Sequence, residues 1–214
     1  MLTPEQVYKI IKENCSLKSV DLTESNVENI IIPQMKAVDY DWKSGMTKFV
    51  FIFPNTDFVI KLPFCGAYDE EAGFYEFCGG WDGSWDYCET EMELYKNAIK
   101  RGVEKCFAKT TSIGAIDNYP LYMQEKAIIW GDIHNRKDYE KEKTKLIREK
   151  CSNHKYYCCF HDCWLSDFLD YYGNTMFEQF MDFIEDYRIE DLHSDNLGYI
   201  DGRPVVVDYA SFDH

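Results

Sequence analysis

Polar side chains of several kinds are concentrated in a short stretch late in the sequence. Asp191, His193, Asp195 and Asn196 lie close together, and Asp208 follows after a run of mostly apolar residues. Carboxylate and amide oxygens are the ligands that a hard cation such as Mg²⁺ takes, and Mg²⁺ usually shares its coordination shell with phosphates. The residue types therefore indicate metal and phosphate chemistry at this point of the chain.

The residues between these two polar groups predict a β-hairpin. Leu197–Ile200 and Val205–Val207 are short apolar runs, and Asp201-Gly202 between them is a strong signal for a tight turn. A hairpin brings its two ends together at its open side. We therefore expect Asn196 and Asp208 to lie close to each other.

This segment resembles the catalytic and metal-binding segments of the protein-kinase-like fold, closest to the aminoglycoside phosphotransferase branch. The resemblance rests on Asp191-Leu-His-Ser-Asp-Asn196 and on the hairpin that ends in Val-Val-Asp208. It implies that Asp191 is the catalytic base, and that Asn196 and Asp208 hold Mg²⁺ on the phosphates of ATP. The chain departs from the family pattern at Ile189, where kinases usually carry His, and at Tyr209-Ala210, which replaces Phe-Gly.

Two other interpretations of this stretch stay open at the level of sequence. A DxH motif also opens metallophosphatase sites, although these need further Asp and His motifs downstream. A polar turn ahead of a hairpin can also be ordinary loop chemistry in contact with solvent.

A strand pattern earlier in the chain places a lysine where a kinase uses one. Lys48–Phe53 and Phe58–Leu62 predict two strands joined by a turn over Pro54–Asp57. Val59-Ile60-Lys61 resembles the third-strand motif of kinases, whose lysine contacts the α- and β-phosphates of ATP. The alternative is that Lys61 is an ordinary lysine at the end of a strand.

The segment before these strands predicts a further strand and a loop. Met35–Tyr40 could form the strand, and Asp41–Thr47 the turn that follows it. In a kinase-like fold this loop covers the phosphates. Backbone N–H groups around Ser44, Gly45 and Thr47 would then bind a phosphate, although the loop has a single glycine.

A helix is predicted after the lysine strand. Glu89–Lys105 places its apolar residues on one face, and Gly102 ends it. By the kinase resemblance this helix supplies a glutamate that pairs with Lys61. Glu91 matches the family pattern best, with Glu89 and Glu93 as the alternatives.

Two strands with an intervening turn are predicted over Ile113–Ile116 and Leu121–Glu125. The resemblance makes the second of them the strand that leads into the kinase hinge. Backbone groups of Gln124, Glu125 and Lys126 would hydrogen-bond the adenine base. Met123 would line the purine pocket, although a methionine in a strand is more often an ordinary core residue.

The other periodic segments predict helices. Thr3 begins the first of them with a capping box, and a second short helix near Asn26–Ile32 is expected to end at Pro33. Cys163–Tyr172 and Asn174–Tyr187 predict two consecutive helices ahead of the polar stretch.

The cysteines raise the possibility of a metal site of another kind. The chain has nine cysteines, an odd number without a recognisable export signal, which is typical of reduced thiols in the cytoplasm. Cys151, His154, Cys158, Cys159, His161 and Cys163 form a dense cluster with zinc-ligand residue types. Its spacing matches no recognised zinc finger, so packing of reduced thiols is the favoured interpretation.

Composition and charge disfavour several classes of partner. Hydrophobic residues make up 45% of the chain and aromatic residues 16%, as in a globular protein. The formal net charge of −15 disfavours binding to nucleic acid or to anionic membranes. No apolar run is long enough to span a bilayer, and we expect a cytoplasmic protein.

The sequence therefore predicts an α+β fold of the protein-kinase-like, bilobal type. Residues 1–125 would form an N-terminal lobe with an antiparallel sheet, a leading helix and an insertion over 65–87. Residues 126–214 would form a small, mostly helical C-terminal lobe. Because the chain stops soon after Asp208, we expect no platform for a peptide substrate.

The predicted function is ATP- and Mg²⁺-dependent phosphoryl transfer to an acceptor that the sequence does not identify. Lys61 would hold the phosphates, Asp191 would be the base, and Asn196 and Asp208 would bind the metal. The alternative is a pseudokinase that acts as a binding or inhibitory module. Three features favour that alternative: the expected absence of a substrate platform, the single-glycine loop and the absence of the catalytic-loop His.

Overall fold

The computed structural model describes residues 1–18, 20–65, 86–133, 141–155 and 160–210, without the side chains of residues 133 and 141–143. Within them the fold is α+β with an antiparallel five-stranded sheet, which confirms the predicted fold class at that level. Most of the insertion predicted over 65–87 lies outside the described residues. The helices are α1 (Pro4–Asn14), α2 (Val27–Met35), α3 (Tyr87–Arg101), α4 (Trp130–Ile133), α5 (Lys141–Cys151) and α6 (Asp162–Asp186).

The strands form two antiparallel sheets. The larger sheet has the order β1-β2-β3-β5-β4, and the smaller one has the order β6-β7-β8. The strands are β1 (Asp41–Ser44), β2 (Lys48–Ile52), β3 (Phe58–Pro63), β4 (Thr110–Ile116), β5 (Tyr119–Glu125), β6 (Ile128–Ile129), β7 (Leu197–Ile200) and β8 (Arg203–Val206).

The chain divides into two compact units. The first unit is Met1–Met92 with Thr110–Lys126, and the second is Glu93–Lys109 with Ala127–His214. The sequence predicts a single boundary between residues 125 and 126. The structure differs from this prediction because Glu93–Lys109, which includes most of α3, belongs to the second unit.

One face of the larger sheet is apolar and forms the core of the first unit. Alternate residues of a strand point to the same face, and directly paired residues share that face. Phe49 pairs with Leu62, and Phe51 pairs with Ile60. These side chains are buried in one cluster with residues of α1 and α2: Val7, Ile11, Val27, Ile31 and Met35.

The start of α1 follows the sequence prediction in atomic detail. The Thr3 hydroxyl accepts a hydrogen bond from the Gln6 N–H at 3.3 Å, and the Gln6 side chain accepts one from the Thr3 N–H at 2.9 Å. This reciprocal pair is the capping box. It satisfies two backbone groups that the first turn of a helix leaves open.

Two predictions on the N-terminal segment are wrong. The predicted stop at Pro33 fails because α2 continues through it to Met35. The predicted strand over Met35–Tyr40 is absent from the structure, and β1 lies at Asp41–Ser44, inside the predicted turn. Burial of Val27, Ile31 and Met35 along one side of α2 outweighs the hydrogen bond that a proline removes.

The second unit is built around α6 and the small sheet. Gly173 interrupts α6, because its φ of 77° is outside the helical range. The two helical segments on either side of Gly173 correspond to the two consecutive helices that the sequence predicts. Buried aromatic residues of α6 form the centre of this unit's core: Trp164, Phe168, Phe177, Phe180 and Phe183.

The hairpin predicted near the end of the chain is present. β7 and β8 pair from Leu197↔Val206 to Ile200↔Arg203. Asp201 and Gly202 form the turn and both have positive φ, at 51° and 78°. This is the backbone conformation that makes Asp-Gly a favoured hairpin turn.

No helix within the described residues has the length and apolar character that crossing a membrane requires.

The cysteines of the described ranges form no disulfide.

Candidate functional site

The centre of the candidate site in the first unit is the carboxylate of Glu91. It lies on α3, is fully buried, and receives hydrogen bonds from four side chains. Lys61 Nζ lies 2.9 Å from Oε1 and 2.8 Å from Oε2, so one ammonium group bridges both oxygens. Of the three glutamates that the sequence left open, Glu91 is therefore the one that contacts Lys61.

A second lysine contacts the same carboxylate. Lys48 Nζ donates to Glu91 Oε1 at 2.8 Å, and the Lys48 and Lys61 residues are only 4% and 5% exposed. Two buried ammonium groups therefore meet at one carboxylate oxygen.

Two neutral side chains complete the coordination of Glu91. Thr110 Oγ1 and Gln124 Nε2 each donate to Oε2 at 3.2 Å, and Gln124 Nε2 also lies 2.8 Å from Thr110 Oγ1. Both residues are buried. These donors replace the water molecules that a buried carboxylate loses. Because the donors come from several directions, they also hold the carboxylate in one orientation.

Strand pairing places these donors on the face of the sheet opposite the apolar core. Lys61 pairs with Val50 on one side and with Tyr122 on the other. Lys48 and Gln124 lie two residues along their strands from those partners, so they project from the same face. The sheet thus separates an apolar face from a polar face that carries the Glu91 cluster, defined as Glu91, Lys48, Lys61, Thr110 and Gln124.

A second contact holds the first turn of α3 against the same face. Asp86 Oδ1 accepts hydrogen bonds from the backbone N–H groups of Cys88 and Glu89, at 2.8 and 3.1 Å, and so caps the helix. Tyr122 Oη donates to the other oxygen of Asp86 at 2.5 Å. Tyr122 is directly opposite Lys61, so neighbouring sheet positions bind both Asp86 and Glu91.

The environment of Asp86 predicts a pH-dependent stability. Burial raises the pKa of its carboxyl from 3.8 to about 6, although Tyr122 and the two backbone N–H groups favour the ionised form. The folded state therefore holds this proton more tightly than the unfolded state does. Its contribution to stability is greatest below about pH 4 and is lost as the pH rises through about 6.

The variant Asp86→Asn tests this dependence, because asparagine can still cap the helix but does not titrate. Between pH 4 and pH 7 we expect the wild type to lose about 2 kcal/mol of unfolding free energy relative to the variant. Urea unfolding of both proteins at several pH values measures this difference. Parallel stability curves for the two proteins across that range would contradict the assignment.

The loop predicted to bind phosphate has a different arrangement from the one expected. The Gly45 N–H donates to Lys48 O at 3.1 Å within the β1–β2 turn, so this donor is already used. Ser44 pairs with Phe49 and therefore points to the apolar face. Its Oγ is buried and has no hydrogen-bond partner among the described residues. Thr47 is buried, and its carbonyl accepts from the Phe64 N–H.

The residues predicted for the adenine hinge divide into two groups. Met123 pairs with Ile60 and packs against the core of the first unit, the ordinary role that the sequence also allowed. Gln124 directs its side chain into the Glu91 cluster. The Lys126 N–H donates to Asp57 O at 2.8 Å, so an adenine base could not take its hydrogen bond from that group. Glu125 is the last residue of β5.

In the second unit the predicted catalytic loop is closely tied to the hairpin. Asn196 Nδ2 donates to the backbone carbonyl of Asp191 at 2.7 Å, and Asn196 O accepts from the Val207 N–H at 2.9 Å. Asp208 is the next residue after Val207, so its backbone lies close to that of Asn196, as the sequence predicts.

The Asp191 side chain is partly accessible to solvent, with 37% of its surface exposed. His193 lies beside it, with Nε2 at 3.6 Å from Asp191 Oδ1. Ile189, at the position where kinases usually carry His, is buried in the core of the second unit. The start of the loop is thus anchored by an apolar contact.

Asn196 and Asp208 offer ligand types that suit Mg²⁺. The Asp191 carbonyl fixes the Asn196 amide nitrogen, which leaves the amide oxygen as the acceptor of that side chain. An amide oxygen and a carboxylate together suit Mg²⁺, which needs few protein ligands when phosphates and water fill the remaining positions. Among the described residues no three His, Cys, Asp or Glu side chains are grouped as a metal site.

In the described part of the Cys/His cluster, Cys151 and Cys163 are buried free thiols. Burial raises the pKa of Cys151 to about 12 and that of Cys163 to about 11, so both stay protonated at neutral pH. His154 lies between two carboxylates of α6, 3.5 Å from Glu178 and 3.1 Å from Glu185. Cys158 and Cys159 lie outside the described residues.

The sequence analysis does not predict a role for the side chains of three members of the Glu91 cluster: Lys48, Thr110 and Gln124. Period-two alternation within Lys48–Phe53 places Lys48 opposite the phenylalanines, which is a usable signal. The cross-strand register that brings it to Lys61 is not present in the sequence.

No family model matches this chain, and neither a curated protein nor a solved structure matches it significantly.

Proposed function

We propose that this chain is an ATP- and Mg²⁺-dependent phosphotransferase with a protein-kinase-like, bilobal fold. The observation that carries the proposal is the buried ion pair between Lys61 on β3 and Glu91 on the following helix, α3. In protein kinases a strand lysine and a helix glutamate form such a pair, and the pair must be in place for phosphoryl transfer.

The loop before the hairpin gives independent support. Asp191, Asn196 and Asp208 occur in the order and spacing of kinase catalytic and metal-binding residues. The hydrogen bonds of Asn196 to Asp191 O and from Val207 N–H tie the three positions to one another. A loop fixed in this way is what positioning catalysis needs, because the protein contributes mainly orientation and charge.

The residues would act as follows. The Lys61 ammonium would donate to phosphate oxygens while Glu91 holds it in place. The acceptor hydroxyl would attack the γ-phosphorus, forming an oxygen–phosphorus bond as the bond to the β–γ bridging oxygen breaks and ADP leaves. Asp191 would orient that hydroxyl and accept its proton.

Asn196 and Asp208 are the residues that would hold Mg²⁺. When bound, the metal would neutralise charge on the β- and γ-phosphates. Asn196 directly precedes β7 and Asp208 lies two residues after β8, so the hairpin brings their backbone positions together.

Asp208→Asn tests the metal assignment, because it keeps the size of the side chain and removes its charge. We expect binding of Mn²⁺ in the presence of ATP, counted by electron paramagnetic resonance of the unbound ion, to weaken roughly tenfold or more. Asp201→Asn is the matched control, since Asp201 is an exposed turn residue of the same hairpin. Equal Mn²⁺ affinity in the wild type and Asp208→Asn would remove Asp208 from the metal site.

A pseudokinase that binds a partner without phosphoryl transfer is the second candidate. Two observations favour it: the Gly45 N–H is used inside its own turn, and Ile189 replaces the usual catalytic-loop His with a core contact. Nucleotide binding that persists without any turnover of ATP would support this candidate over the first.

A further inference from the structure

Tyr122 has no role in the proposed function, although it contacts the helix that carries Glu91. Its Oη donates to Asp86 Oδ2 at 2.5 Å, and Tyr122 and Asp86 are only 5% and 6% exposed. Asp86 caps α3, because its other oxygen accepts from the backbone N–H groups of Cys88 and Glu89. The bond from Tyr122 therefore attaches the first turn of α3 to strand β5.

The protonation states of the two groups make this a strong hydrogen bond at neutral pH. Burial and the neighbouring Asp86 carboxylate raise the pKa of Tyr122, so its hydroxyl keeps the proton and is the donor. Burial raises the pKa of Asp86 to about 6, so most of this carboxyl is ionised at pH 7. A hydrogen bond to an ionised acceptor is about twice as strong as one between neutral groups.

The contact made by Tyr122 lies beside the contact made by Lys61. The two residues are paired between β5 and β3, so their side chains project from the same face of the sheet. Tyr122 holds α3 at Asp86, and Lys61 holds it at Glu91. At 1.5 Å per residue these attachment points are about 7.5 Å apart along the helix axis. Two separated attachments fix the direction of a helix, whereas one attachment alone would let it pivot.

We propose that Tyr122 is a positioning residue for the nucleotide site, acting through Asp86 and α3 to hold the Glu91 carboxylate against Lys61. The inference rests on the proposed function, because it assigns a further residue to the site in which Lys61 binds phosphate. The Tyr122 hydroxyl limits the movement of α3, and the place of the Glu91 carboxylate in turn sets that of the Lys61 ammonium group.

The first test is the affinity of the full-length chain for MgATP, measured by calorimetric titration. Tyr122→Phe removes the hydroxyl and keeps the ring, and we expect it to weaken MgATP binding roughly fivefold to fiftyfold. Lys61→Met is the positive control. Tyr8→Phe is the matched control, because the Tyr8 hydroxyl donates to Ala115 O at 2.8 Å and joins α1 to β4 in the same unit. It should lower the melting temperature without changing the affinity.

The second test measures the link between Tyr122 and the Glu91 cluster without a nucleotide. Lys48 lies on β2, which β3 separates from β5, so the backbones of β2 and β5 are about 10 Å apart. Substitutions at such a distance usually have additive effects on stability. If α3 links the two positions, urea unfolding should show a smaller effect of Tyr122→Phe in a Lys48→Met background, by at least about threefold in the folding equilibrium constant.

The possible outcomes separate this inference from the proposed function. If Lys61→Met loses affinity while Tyr122→Phe binds MgATP like the wild type, Tyr122 does not position the site and the proposed function stands. Equal losses of affinity in Tyr122→Phe and Tyr8→Phe would assign both hydroxyls a general structural role, which also overturns the inference. Additive effects in the Lys48→Met background overturn it as well. A wild type that does not bind MgATP overturns the proposed function and the inference together.

A second variant covers the case in which Tyr122→Phe does not fold. Asp86→Ser keeps a capping hydroxyl at the start of α3, but its side chain is too short to reach Tyr122. It removes the same contact from the side of the helix, and we expect a similar loss of MgATP affinity. Wild-type affinity in Asp86→Ser would contradict the assignment.

Discussion

Replacing Glu91 by glutamine is expected to destabilise the protein by about 3–5 kcal/mol, the cost of removing one partner from a buried ion pair. Glutamine has the same shape but carries no charge. The Glu91 carboxylate receives two ammonium groups in a buried environment, so its loss leaves both of them without the anion that they share. Urea unfolding of the wild type and the variant measures the effect.

Glu93→Gln is the matched control for this experiment. Glu93 is on the same helix, but its ion pair with Lys96 is exposed, and such pairs contribute about 1 kcal/mol or less. A double variant, Glu91→Gln with Lys48→Met, should be more stable than Glu91→Gln alone because it removes one of the two buried ammonium groups. Glu91→Gln with wild-type stability would show that the carboxylate does not organise this site.

Replacing Asp191 by asparagine is expected to lower phosphoryl transfer by about 10²- to 10⁴-fold and to leave MgATP affinity near that of the wild type. Asparagine can still orient a hydroxyl group but cannot accept its proton at neutral pH. The backbone carbonyl of Asp191 should still accept from Asn196, so the loop should keep its conformation. Transfer is measured as ADP release, with water or the protein itself as the acceptor.

His193→Gln serves as the comparison for Asp191→Asn. His193 is exposed and lies 3.6 Å from the Asp191 carboxylate, so it can influence the loop without being required as the base. We expect a smaller loss of transfer in His193→Gln than in Asp191→Asn. Undiminished ADP release by Asp191→Asn would exclude Asp191 as the base.

Local sequence signals predicted the elements that carry the candidate site. The Asp201-Gly202 turn and the flanking apolar runs define the β7–β8 hairpin, and a hairpin of known turn fixes its own register. Lys61 and Glu91 were identified by resemblance to kinases, and the structure places them in contact. These features depend on residues that are close in sequence or on a recurring order of elements.

The features that sequence reasoning missed depend on contacts between distant residues. Lys48 reaches Glu91 through the pairing of β2 with β3, and Tyr122 reaches Asp86 through the pairing of β3 with β5. Neither register can be obtained from composition or periodicity. The error at Pro33 has a similar cause, because tertiary burial of Met35 in the core extends α2 past a residue that usually ends helices.

The central claim is that the chain binds a nucleotide through its phosphates and a divalent metal. Calorimetric titration of ATP into the wild-type protein, with and without Mg²⁺, tests it most directly. The account predicts saturable binding that requires Mg²⁺, because Asn196 and Asp208 would contribute to binding only through the metal. The absence of binding in both conditions, or an affinity that does not change when Mg²⁺ is removed, would contradict it.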